Sequence, residues 1–126
     1  MDKKVLVDDQ YDEGKKLIEE LDKQGRKYPI ILWINDSEKN DWVLLFGIHQ
    51  LKKIGSKKIF TVIHSTIKEH HINISLNSIT LADTTSQICT DLKVMMRTGN
   101  GIGRISFFGN IINGRRFPDS IIYRVN

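Results

Sequence analysis

The chain has 126 residues, 40% of them hydrophobic and 27% charged, with two prolines; these values exclude a disordered or collagen-like chain and fit one hydrophobic core better than two half-sized ones. The single cysteine, Cys89, excludes an internal disulfide and a cysteine-rich zinc framework. A formal net charge of +4 permits an anionic partner without requiring one.

The first apolar run, "VLV" at 5–7, is closed off by Asp8 and Asp9 and is too short for a signal h-region. No stretch reaches the roughly 18 apolar residues of a membrane span. The expectation is a cytoplasmic protein of bacterial style, with residues 1–126 forming a single globular domain that engages no membrane. Residues 11–24 place Tyr11, Leu17, Ile18 and Leu21 on one side of an amphipathic helix, and Gly25 closes it. The runs "PIILWIN" and "WVLLFGI" are nearly continuous in bulky apolar residues and are joined by the polar "DSEKN". They read as an antiparallel hairpin with both faces covered.

Ile59, Phe60, Ile63 and Ile67 recur at helical spacing, which predicts a second helix over Ser56–Glu69 with Ser56 as N-cap. Its β-branched content (Thr61, Val62, Thr66 among others) also suits a strand. "SITLA" around Ile79 is a short alternating strand. "TTSQ" at 84–87 fits a capping box that opens a third helix, with Ile88, Leu92 and Met95 in phase and Gly99 as its left-handed stop. Residues 104–110 and 120–125 read as strands around an Asn113-Gly114 turn, with Pro118 at an edge or bulge. The order is α-β-β-α-β-α-β-β: a mixed α/β (α+β) domain of three helices on a sheet of about five strands. If the second, third and fourth strands run parallel, the helices between them are right-handed crossovers.

In the segments "LWINDSEKNDWVLLFG" and "GNIINGRRFPDSIIYR" the sequence resembles a family of small bacterial α/β proteins with no assigned activity. The resemblance spans most of the chain and implies no role for any residue.

Several constellations carry chemistry. The glycines at 99, 101 and 103 follow a helix and precede a strand, the reverse of a dinucleotide loop, so they read as a helix stop and strand entry. In "LKKIGSKK", Lys57 and Lys58 occupy a helical first turn, where the helix dipole disfavours cations. A bound phosphate would reverse that sign, held by the first-turn N–H groups, the Ser56 hydroxyl and Lys52, Lys53, Lys57 and Lys58; the alternative is a solvated lysine surface. His49, His64, His70 and His71 lack His-Glu-x-x-His spacing, and no metal site or cofactor is expected. Cys89 reads as a packed thiol, and "NDSEKND" as turn chemistry rather than an acidic metal-dependent site. Arg115 and Arg116 beside Phe117 could display two guanidiniums and a stacking ring at a hairpin tip, or simply guard an edge.

Charge is concentrated in two places. Between His49 and His70, five lysines face the single acid Glu69. From Asp91 onward, six cations face Asp91 and Asp119. The leading expectation is a non-enzymatic module that binds nucleic acid or another polyanion through Lys52, Lys53, Ser56, Lys57, Lys58, Arg115, Arg116 and Phe117 together. One alternative is a metal-independent, ribonuclease-like or phosphate-handling enzyme, with His49 or His64 as base and Arg115, Arg116 or Arg124 steadying negative charge. Another is a protein–protein or self-assembly module anchored by a hairpin edge or by Trp33 and Trp42. No catalytic residue and no oligomeric state is legible.

Overall fold

A computed structural model describes residues 6–36, 38, 41–112 and 114–126. The two apolar runs pair antiparallel as expected: β1 (Ile30–Asp36) lies against β2 (Asp41–Ile48), from Ile30 opposite Gly47 to Asp36 opposite Asp41. Their continuous apolarity has the anticipated cause. Alternate residues serve two separate cores, one containing Ile31, Trp33, Leu44 and Phe46, the other Ile30, Leu32 and Leu45.

The first core is roofed by α1 (Asp8–Lys23) and α3 (Ser56–Glu69). Leu17, Ile18 and Leu21 of α1 meet Ile59, Ile63 and Ile67 of α3 over the sheet. Gly14 allows α1 close to it: a Cβ there would stand 2.2 Å from the Tyr123 hydroxyl. Gly25 ends α1 with φ +80°, its N–H donating to the Asp22 carbonyl at 2.9 Å and that of Arg26 to Leu21 at 3.0 Å. This is a Schellman end. The second core is covered by α4 (Gln87–Met95), whose Cys89 packs against the bare Cα of Gly47. Burial pushes the Cys89 thiol up, which agrees with an inert packed role.

A five-residue strand, β3 (Ile79–Asp83), runs parallel to β2 after the α3 crossover. Between β2 and α3 lies a one-turn helix, α2 (Leu51–Ile54), which makes four α-helices among the described residues where three were expected. The remaining strands depart from the parallel arrangement. Strand β4 (Ile105–Phe107) sits on the far edge, antiparallel to β7 (Ser120–Val125), and β7 is antiparallel to β1, giving the order β3-β2-β1-β7-β4. Among the described residues only β2 and β3 pair in parallel, so α4 crosses the second face instead of forming a parallel crossover.

The expected terminal hairpin is therefore modified. β4 and β7 do pair, but a separate ribbon of β5 (Ile111–Ile112) and β6 (Arg115–Arg116) is inserted between them. Ile112 pairs with Arg115 and Gly114 has φ +75°, while Asn113, the other half of the expected turn, lies outside the described residues.

Three helix-boundary expectations are corrected. Ser56 is the first residue of α3 rather than its N-cap; that position is held by Gly55 at φ +97°. Thr84 opens no capping box, because its N–H donates to the Ile48 carbonyl at 3.1 Å and prolongs the sheet, so α4 begins only at Gln87. Gly99 is not the stop of α4: Met96 is already extended (φ −159°), and Thr98 N–H donates to the Val125 carbonyl at 2.7 Å. Pairing with β7 ends the helix.

Candidate anion-binding groove

The two cationic groups fall on different faces of the sheet. Lys57 and Lys58 belong to α3, which packs on the first core. Phe117 belongs to the second core, with Ile112 of the ribbon that carries Arg115 and Arg116. The single eight-residue site expected from sequence is corrected accordingly: the sheet lies between its halves. Phe117 is also withdrawn as a stacking platform. It is 4% exposed, set edge-on to Phe107 with centroids 5.5 Å apart. The cause is hydrophobic: residues 117–122 must re-enter the sheet, and the ring closes the second core as they do.

On the α3 side the sequence builds a groove. A cavity of about 580 Å³ is lined by Ile54, Ile59 and Val62 as an apolar floor and by Arg26, Lys57, Lys58 and Thr61. Arg26, Ile54 and Ile59 also line a neighbouring hollow of about 310 Å³, which Lys27, Tyr28 and His49 enter from the other side. Each cation has a local reason for its place. The Schellman turn at Gly25 throws Arg26 and Lys27 off the end of α1, and Gly55 breaks the chain between α2 and α3 so that Lys57 and Lys58 start a new helix beside them. Among the described residues no carboxylate lines either hollow. Burial raises the Tyr28 phenol, and the nearby Arg26 guanidinium opposes that rise.

The first turn of α3 contains no acidic residue, and no side chain caps it. Its amides and the exposed Lys57 and Lys58 therefore present positive potential in the same direction. Lys52 and Lys53 stand exposed on α2 next to Ile54, and Ser56 is exposed at the helix start. Sequence reasoning missed Arg26 and Lys27. The available signal was two cations directly after a helix-ending glycine, in a segment read only as a terminator.

The histidines are dispersed. His49 Nδ1 lies 3.4 Å from the Thr84 hydroxyl, His64 is exposed on α3, His70 Nε2 is 3.3 Å from Glu20, and His71 occupies a left-handed position after α3. Arg124, one of the arginines considered for steadying charge, is 1% exposed and bound bidentately by Asp22 at 2.6 and 3.2 Å. Among the described residues no three His, Cys, Asp or Glu side chains group as a metal set. Within "NDSEKND", the Asp36 carboxylate accepts from Glu38 N–H at 2.9 Å and that of Asp41 from Trp42 N–H at 2.8 Å, as turn chemistry requires; residues 37, 39 and 40 lie outside the described residues. Trp33 and Trp42 are core residues at 1% and 5% exposure, not surface anchors.

Among the described residues no helix is long and apolar enough to cross a membrane. No family model, curated protein or solved structure matches the chain.

Proposed function

We propose that this protein is a non-enzymatic binding module whose α3-side groove takes a polyanion, with single-stranded nucleic acid as the class to test. The observation that supports it is the composition of the groove wall. Three cations from two separate segments, Arg26, Lys57 and Lys58, line one cavity that no carboxylate of the described residues lines. Charges of one sign around a low-dielectric floor attract a multivalent anion more strongly than the same charges scattered over the surface. With Phe117 buried in the second core, recognition in this cavity rests on phosphate contacts from its three cations.

Fluorescence anisotropy with labelled mixed-sequence RNA and DNA tests this directly. Three phosphate contacts to a single strand predict a slope of about −2 in log affinity against log salt. Reversing Arg26, Lys57 and Lys58 to glutamate removes binding. Absence of binding at low ionic strength, or binding that survives the triple reversal, sinks the reading.

A further inference from the structure

The half of the basic signal that the groove does not use has its own setting. A hollow of about 260 Å³ lies on the second face, between the first turns of α4 and the β5–β6 ribbon. Its walls are apolar, formed by Ile88, Ile112, Phe117 and Pro118, and Phe117 is fixed by its edge-on packing against Phe107. The remaining lining is polar. Asp91, with a side chain only 10% exposed, accepts the Gln87 amide at 2.7 Å and Arg115 at 3.4 Å. Arg115 and Arg116 complete it, both exposed.

We propose that this hollow binds a small carboxylate with an apolar body. Charge and shape both favour such a ligand. Asp91 supplies one negative charge and anchors Arg115, so the two guanidiniums leave a net positive charge in the hollow. A guanidinium presents parallel N–H groups that match a carboxylate, whereas a ligand ammonium would meet two like charges. The apolar walls give such an anion somewhere to put its hydrocarbon. A cavity of about 150 Å³ already accepts benzene, so a six-carbon chain is within the available space. Because the sheet separates this hollow from the α3 groove, the inference stands or falls independently of polyanion binding.

The test is an amide-correlation NMR titration of the full chain with hexanoate, hexanol and hexylamine at about pH 7, where the acid is ionised. Hexanoate is expected to give saturable shifts confined to residues 87–91 and 112–118. Arg116→Ala, a change at an exposed side chain, weakens it about tenfold. Arg115→Lys, which keeps a charge beside Asp91 but loses the fork, weakens it without unfolding the ribbon. Hexanol or hexylamine binding as tightly as hexanoate overturns the proposal. So does a shift pattern that never saturates, or an Arg116→Ala variant that binds hexanoate unchanged.

Discussion

Asp83 shows how one carboxylate can set a local architecture. It ends β3, and its Oδ2 accepts the Leu51 N–H that starts α2, while Oδ1 accepts both the N–H and the hydroxyl of Thr85. These bonds are stronger to the ionised form, and the Thr85 and Leu51 donors hold the carboxyl below its usual range. A depressed folded pKa gives stability that is present above the unfolded value and lost as pH falls through the folded one. Asp83→Asn should therefore lower the urea midpoint at neutral pH and flatten its decline below about pH 4; an unchanged acid limb contradicts this. His71 makes the opposite case. It holds φ +51° where Ile72 N–H closes a Schellman turn on the Ile67 carbonyl at 3.0 Å. His71→Gly should raise stability by about 0.5–1 kcal/mol, the left-handed cost less the extra chain entropy of glycine, read as a higher urea midpoint at constant m value.

At the scale of elements, the β7 bulge organises the space beneath α1. Ile31 pairs with Arg124 and Leu32 with Ile122, so Tyr123 is an extra residue, and both Tyr123 and Arg124 turn toward α1. The Tyr123 hydroxyl accepts the Trp33 indole N–H at 2.9 Å and donates to the Tyr11 carbonyl at 2.6 Å. Burial drives this phenol far up, which keeps it a donor. Arg124 also donates to the Tyr28 carbonyl at 3.1 Å, tying α1, the α1–β1 turn and β7 together. Asp22 keeps 18% of its side-chain surface and can rehydrate, whereas Arg124, at 1%, cannot. Asp22→Asn should thus cost about 3 kcal/mol, more than Arg124→Met, in equilibrium unfolding. Equal costs would show that the pair contributes packing alone. None of this was legible in "SIIYRV", because a bulge is decided by what lies opposite the strand.

Across the whole molecule, the legible parts were those written in local chemistry. The amphipathic stripe of α1 with its Gly25 stop, the β1–β2 hairpin and α3 from Ser56 to Glu69 all follow from spacing, and in α3 burial of Ile59, Ile63 and Ile67 outweighs β-branched propensity. Non-local choices were not legible. Thr84 and Gln87 fit a capping box, yet Thr84 is drawn into the sheet and the Gln87 amide turns to Asp91. Adjacent in the pattern of charge but not in space, the lysine and arginine groups looked like one site until β1 and β2 came between them. Arg26, hidden behind a helix stop, is the cation that lines one cavity with Lys57 and Lys58, and Lys27 lines the hollow next to it.

The central claim is that a polyanion occupies the α3 face alone, and the amide chemical-shift footprint of a saturating single-stranded oligonucleotide tests it most directly. The account predicts perturbations at residues 25–28 and 52–62, with residues 112–118 unmoved. A footprint centred on the ribbon, or one spread equally over both faces, would contradict it.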